Sequence, residues 1–341
     1  MAENLRWKLA DQPDAQPALF APARRVAGRG EYRGLEFLEV DAKSIINKVP
    51  GGPRFGFEYT INAYRGCSHR CTYCFARPTH EYLGLGIGED FDRKIVVKRN
   101  AVDLVRAETA PTRWGGDLIA MGTNTDPYQP AEGKYRLTRG VLEVLGERGN
   151  PVSILTKSTL VLRDLDVLQD VARAGRVRVD FSVGTLDPAV WKLTEPGTPH
   201  PQRRIDAVAE LNETGIRSGI LMGPIIPGLS DGADQIRDVV RAAVAAGAVG
   251  VGHVVLHLGP GIRDHFLQWL ERHRPHLASD HGRWYGGGRE ASSAIRARIA
   301  ATVDAALREF GGPVPDRVRR SARVHVRTAA PASPQQLGLG L

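Results

Sequence analysis

The run Phe57-Glu58-Tyr59-Thr60-Ile61-Asn62-Ala63, apolar and β-branched, passes through Tyr64-Arg65-Gly66 into Cys67-Ser68-His69-Arg70-Cys71-Thr72-Tyr73-Cys74. A strand candidate followed by C-x3-C-x2-C puts three thiols in a loop at that strand's C-terminal end. These are the only cysteines among 341 residues. An odd, clustered set is poor material for disulfides and good material for a metal or a cluster. Three thiolates fall one short of a closed structural zinc site and of a simple ferredoxin-type cluster. A cubane held by three thiolates leaves one iron open, and an open position is where chemistry takes place. The bland alternative is a Cys3His zinc site completed by His69 or His80, though neither spacing is that of a zinc finger.

Around this loop, apolar β-branched runs alternate with segments of helical period. The strand candidates are 57–63, 118–121, 152–156, 177–183, 216–223 and 249–257. The helix candidates lie near 99–109, 138–149, 160–174, 201–214, 231–246, 262–273 and 290–309. Such alternation predicts parallel βαβ units, and six of them predict an α/β fold: a partial (β/α)6 TIM-like barrel with its chemistry at the strand C-termini. Residues 1–52, rich in Pro, Ala, Arg and Gly, read as a loosely structured N-terminal extension, in part packed around Leu35–Val40. Residues 53–275 read as the core, 276–327 as a C-terminal helix and basic segment, and 328–341 as a disordered tail. The Gly84–Gly88 stretch lacks the strand-before, helix-after context of a dinucleotide fingerprint and is expected to be a loop.

Polar groups recur at the ends of the next three strands. The second ends in Gly122-Thr123-Asn124-Thr125-Asp126-Pro127-Tyr128-Gln129-Pro130, the third in Thr156-Lys157-Ser158, and the fourth carries Phe181-Ser182. Each alone has an ordinary reading, since Thr-Asn-Thr-Asp-Pro is good turn chemistry. Together they suit a cofactor platform. In the fifth unit, Gly219–Asp231, a buried strand followed by a helix capped by Ser230 or Asp231 is expected. The backbone at Pro224–Ile226 is a weaker site candidate. His253 and His257 read as structural.

C-x3-C-x-aromatic-C after a first strand resembles the radical S-adenosylmethionine (SAM) superfamily. The strand-end motifs resemble a narrower group, the spore photoproduct lyase-like proteins and their bacterial relatives, over roughly residues 35–275. The resemblance implies a [4Fe–4S] cluster on Cys67, Cys71 and Cys74, with SAM on its open iron. It implies that Tyr73 packs near the adenine and that Thr125, Lys157 and Ser182 contact SAM. Asp126 would serve the SAM amino group. It also implies reductive SAM cleavage, hydrogen-atom abstraction from a substrate, and a ferredoxin or flavodoxin-type reductant. One departure matters: where those lyases carry a hydrogen-donating cysteine, this chain has Thr123, whose O–H is a poor hydrogen-atom donor. Spore photoproduct repair is therefore not expected. Either SAM is regenerated, or a tyrosine such as Tyr128 relays the hydrogen, or no donor is needed.

The formal net charge of +8 favours anionic partners. Part of the excess is Arg317, Arg319, Arg320, Arg323 and Arg327 against Asp316, which reads equally as a solvated basic segment or a DNA contact. The terminal Gln336-Leu337-Gly338-Leu339-Gly340-Leu341 resembles the peptide by which repair proteins bind the replication sliding clamp. No run approaches the ~20 apolar residues of a membrane span, and the N-terminus lacks an apolar h-region. A cytoplasmic enzyme with no membrane partner is expected, acting on DNA or, alternatively, on a small molecule or peptide. A non-catalytic iron–sulfur or zinc module is the remaining alternative.

Overall fold

The computed structural model describes residues 24–49 and 56–313. Eleven strands are formed: β1 Arg24–Ala27, β2 Glu36–Val40, β3 Ile46–Lys48, β4 Tyr59–Ile61, β5 Tyr64–Arg65, β6 Lys94–Lys98, β7 Ile119–Met121, β8 Val152–Thr156, β9 Val177–Ser182, β10 Arg217–Ile225 and β11 Val251–Val255. The helices are α1 Glu89–Arg93, α2 Ala101–Glu108, α3 Ala131–Tyr135, α4 Leu137–Glu147, α5 Leu165–Ala174, α6 Pro188–Thr194, α7 Pro201–Glu213, α8 Ala233–Ala245, α9 Ile262–His273, α10 Pro275–Tyr285 and α11 Ser293–Glu309.

The six expected strands appear as β4, β7, β8, β9, β10 and β11. They lie side by side in chain order and pair in parallel. β3 adds antiparallel to the free side of β4, so β3 and β11 are the two edges of an open seven-stranded sheet. Helices in the crossovers give the α/β order predicted from the alternation. The strands alternate: Ile61, Ile119, Ile154, Val179 and Phe181, which the register puts on one face, are all fully enclosed, while Ser153, Arg178 and Asp180 lie on the other and are half-buried. α4 contributes Leu137, Val141, Leu142, Val144 and Leu145 to the same core. Each such side chain removed from water stabilises the fold by about 1.5–3 kcal/mol. No described helix is long and apolar enough to cross a membrane.

The structure differs from the expectation in four places. The first strand stops at Ile61, and the chain leaves the sheet to form β5, which pairs antiparallel with β6. β6 was not expected: Ile95-Val96-Val97 sits between lysines and abuts a helix, so periodicity alone gives it no identity. Residues 24–48, expected to be loosely structured, form β1, β2 and β3; β1, β2, β6 and β5 make a second, four-stranded sheet. The cap of α8 is Gly232, with the Gln235 side chain accepting from its N–H. Ser230 and Asp231 instead hold the preceding turn, accepting from the Ile226 and Gly228 N–H groups at 2.9 and 2.7 Å. The sharp turn after Pro227 needs those acceptors before the helix begins. α1, α3, α6 and α10 were also unforeseen. The arginines of 317–327 and the tail with Gln336–Leu341 lie outside the described residues.

β7 ends in Gly122, at φ +90°, and a Cβ there would stand 1.9 Å from the Leu155 carbonyl oxygen. Gly122→Ala is expected to cost about 2 kcal/mol or more, from left-handed strain and a backbone clash. Urea unfolding measures it; an unchanged midpoint would mean that the ends of β7 and β8 separate freely.

Candidate functional site

The cysteine loop begins at Gly66, whose φ of +81° turns the chain away from β5. A Cβ there would meet His80 Cε1 at 2.8 Å and the Lys94 and Phe91 carbonyls at 3.0 Å. Short turns follow: the Arg70 N–H donates to the Cys67 carbonyl and the Cys74 N–H to that of Cys71. Arg77, 2% exposed, closes the loop from beneath. Its guanidinium donates twice to the Cys71 carbonyl (3.1 and 2.9 Å), to the Ile87 and Gly88 carbonyls, and to Asp92 at 2.7 Å.

The Thr-Asn-Thr-Asp-Pro-Tyr-Gln run at the end of β7 clamps this loop. Thr125 donates its hydroxyl to the Gly66 carbonyl at 2.6 Å, and Gln129 donates its amide to the same oxygen at 2.9 Å. The Gln129 carbonyl accepts from the Ser68 N–H at 3.1 Å. Asp126 accepts from Thr156 Oγ1, from the Lys157 N–H and from the Tyr128 N–H at 2.6–2.9 Å, and faces His69 Nδ1 at 3.3 Å. Burial opposes its charge, but His69 and these donors hold its carboxyl below the usual range. Burial likewise opposes the His69 imidazolium; the Cys67 sulfur and Asp126 outweigh it and lift His69 to about 10. Thr125 and Asp126, expected to touch SAM, thus spend their polar atoms on the loop and on the start of the next strand end.

The other expected residues gather beside Cys71. Lys157 Nζ donates to Ser182 Oγ at 2.6 Å, Glu195 Oε1 at 3.0 Å and the Gly223 carbonyl at 3.2 Å, and lies 5.7 Å above the Tyr73 ring. Gly223 sits where the β10–β11 register shifts, at the point the sequence marked one residue further on. Glu195 accepts from the Tyr73 hydroxyl and pairs with Arg204 at 2.7 Å. Burial opposes the Glu195 charge, yet Arg204 and Lys157 hold its carboxyl down at about 2. Glu195 and Arg204, 5% and 1% exposed, were missed by sequence reasoning. Their one signal is a Pro-punctuated run, Glu195-Pro196-Gly197-Thr198-Pro199, between two helices.

Thr123 lies at the sheet end, accepting weakly from Asn62 Nδ2 at 3.4 Å. Tyr128 is not brought to the thiols: it is fully buried, and the charges acting on its hydroxyl are Asp164, Glu132 and Arg163. His80 also stands apart, with Nε2 on the Lys94 carbonyl at 3.0 Å and its ring against Phe91.

All three cysteines are free. Burial, then the Glu195 charge, push the Cys71 thiol up; burial and the Cys67 sulfur raise Cys74 to about 11. Cys71 and Cys74, whose ionisation burial and neighbouring negative groups oppose, need a cationic partner to become thiolates, which is what iron supplies. Among the described residues no group of three His, Cys, Asp or Glu is close-set enough to hold a single metal ion. Thiolates that each bind a different iron of a cluster need not be. The donor set therefore fits an iron–sulfur cluster.

A model of the radical SAM superfamily matches residues 61–243, more than half of the chain. The uncharacterized protein Rv2578c of Mycobacterium tuberculosis (strain ATCC 25618 / H37Rv) is 42% identical over 258 residues, 76% of either chain. The radical SAM Nα-GlyT isomerase of Pseudomonas phage M6 is 27% identical over 206 residues, 60% of this chain and 40% of that one. A spore photoproduct lyase complexed with dinucleoside spore photoproduct superposes with a TM-score of 0.63 at 16% identity, over 81% of this chain and 80% of that one, which is a likeness of fold.

Two measurements test this geometry. Glu195→Ala leaves Arg204 buried without its carboxylate and should cost about 3–5 kcal/mol in urea unfolding; a loss under 1 kcal/mol would mean that water or Thr198 replaces it. His80 is held neutral by burial, down at about 4 against an ordinary 6.5. The unfolded chain therefore binds the extra proton first, and stability is lost as pH falls from 6.5 to about 4. His80→Phe should flatten that limb of the pH–stability curve.

Proposed function

The chain belongs to the radical SAM superfamily, and from that membership we propose that Cys67, Cys71 and Cys74 hold a [4Fe–4S] cluster whose open iron binds SAM, in an enzyme that abstracts a hydrogen atom from a nucleic-acid substrate. As a member it is an enzyme that cleaves SAM by radical chemistry and requires an iron–sulfur cluster and a reductant. The observation that carries the finer reading is the loop of three free thiols, two buried and one half-buried, beside the Tyr73–Lys157–Ser182–Glu195 group. When bound, such a cluster passes one electron to SAM, which parts into methionine and a 5′-deoxyadenosyl radical able to take a hydrogen atom.

The chain's residues supply the rest. The Lys157 ammonium and the Ser182 hydroxyl suit the carboxylate and hydroxyls of SAM. All three Lys157 protons are already donated, so a ligand carboxylate takes the place of one present acceptor. Glu195 keeps its charge satisfied through Arg204 and the Tyr73 hydroxyl while that exchange occurs. Enclosure of Tyr73 and Ser182 keeps water from a reactive intermediate. With every cysteine committed to the cluster, no thiol is left to return a hydrogen atom, and Thr123 is a poor donor. The placement of Tyr128 among Asp164, Glu132 and Arg163 gives a relay through it no support. Regeneration of SAM, or a product that needs no returned hydrogen, remains the consistent course.

The net charge of +8 supports a nucleic-acid substrate. So does the dinucleoside ligand of the lyase of similar fold. Binding of a sliding clamp by Gln336–Leu341, and a cytoplasmic site of action, belong to the same reading.

Anaerobic reconstitution with iron and sulfide, then dithionite and SAM, tests it. About four irons per chain and 5′-deoxyadenosine are expected for the parent, with Cys71→Ala at background. Stimulation by oligonucleotides would support the substrate class. Iron uptake without SAM cleavage would break the enzymatic reading, and zinc uptake alone would break the cluster.

A further inference from the structure

A cluster that cleaves SAM is refilled from outside the chain, one electron at a time, and the surface beside Cys74 is built like an entry point. Cys67 and Cys71 are 8% and 7% exposed, whereas Cys74 is only half-buried. The next residue, Phe75, is 65% exposed, the most exposed large apolar side chain among the described residues, and its ring meets no other. An aromatic ring held in water one peptide from a ligand sulfur has no packing role.

Arg70, between the first two cysteines, is the second anomaly. Its φ is +58°, and only one other described non-glycine residue, Arg136 at the junction of α3 and α4, has a left-handed backbone. Holding arginine there costs roughly 1–2 kcal/mol relative to glycine, so the side chain has a use. Yet it is exposed, and among the described residues it acts only electrostatically on Asp92, with no side-chain hydrogen bond or close ion pair. The nearby acids are already taken: Asp92 by Arg77, Glu89 by Arg93 and Asp90 by Lys94. Of the other exposed groups on this segment, Glu81 beside Tyr82 carries the opposite charge at its far end.

We propose that Arg70 and Phe75, at the edge of Cys74, form the docking surface for an acidic one-electron carrier protein. The proposal rests on the cluster assignment above. Carrier encounters are weak and small, under about 1,200 Å², and are steered by opposite charge onto an apolar contact. Here the exposed Arg70 guanidinium supplies the charge and Phe75 the contact, in the same loop as the most accessible ligand. The transfer balances simply: the carrier loses one electron and the cluster gains one, with no bond or proton exchanged. A nucleic acid could also use an arginine and an aromatic ring. However, the buried Tyr73–Lys157–Ser182 group lies beside Cys71, and radical chemistry needs that enclosure rather than a ring standing in solvent.

The test follows bleaching of the reconstituted holoenzyme's visible absorbance by stopped flow, with reduced flavodoxin or with dithionite, in the parent, Arg70→Gly, Arg70→Glu and Phe75→Ala. Glycine suits the left-handed backbone, so Arg70→Gly removes the charge without strain. Flavodoxin rates should fall about tenfold or more at low salt, the Arg70 effect fading at high salt, while dithionite rates hold. Equal flavodoxin rates in all four proteins would overturn the surface. So would weakened single-stranded oligonucleotide binding at an unchanged flavodoxin rate, which would make it a substrate contact. A parent with no absorbance that dithionite can bleach would sink the cluster assignment and the surface with it.

Discussion

The carbonyl oxygen of Gly66 is the point on which the site hangs. It accepts from both Thr125 and Gln129, which come from the end of β7, while Gly66 itself begins the cysteine loop after β5. Two buried hydrogen bonds to one oxygen thus tie the start of the loop, just after β5, to the end of β7. Arg77 fixes where it returns, through the Cys71 carbonyl. A buried guanidinium bonded to carbonyls and one carboxylate is costly to desolvate and is tolerated only when its donors are matched. The loop conformation is therefore set by polar bonds whose loss would each leave an unpaired group.

The second polar assembly has another logic. Lys157, Glu195 and Arg204 carry two positive charges and one negative charge in an enclosed space, with Tyr73, Ser182 and the Gly223 carbonyl filling the remaining positions. Such groups rarely add stability over an apolar packing of equal volume. Their value is a surplus cation held near Cys71, where a ligand with a carboxylate can exchange into it. Arg204 and Glu195 supply the fixed half of the assembly, and Lys157 the half able to change partners.

The sequence was legible where its signal was local. Six runs marked the six parallel strands because each carries the β-branched and other apolar residues of one enclosed face at alternate positions, as in Val152-Ser153-Ile154 and Val177-Arg178-Val179. The cysteine spacing is likewise read within eight residues. β6 escaped because Ile95–Val97 is too short to show a period, and β5 because two residues carry no pattern. Lys157 and Ser182, which hydrogen-bond each other, were singled out from their strand ends, but Glu195 was not. It lies in a proline-rich connection held by Arg204 of the following helix and by Tyr73, which is distant in the chain. Thr125 and Asp126 show the converse: their residue types suit a cofactor, yet tertiary contacts give them to Gly66, Thr156 and the Lys157 N–H.

The departure of the chain from the barrel sheet at Ile61 to form β5 against β6 has an evolutionary consequence. From Tyr59 to Arg77 every stretch is tied at both ends, first to one sheet, then to the other, then by the arginine. Insertions and deletions are tolerated where a loop has slack, and this segment has none. In descendants of this fold its length should stay constant, while substrates diversify through the connections that follow the later strands.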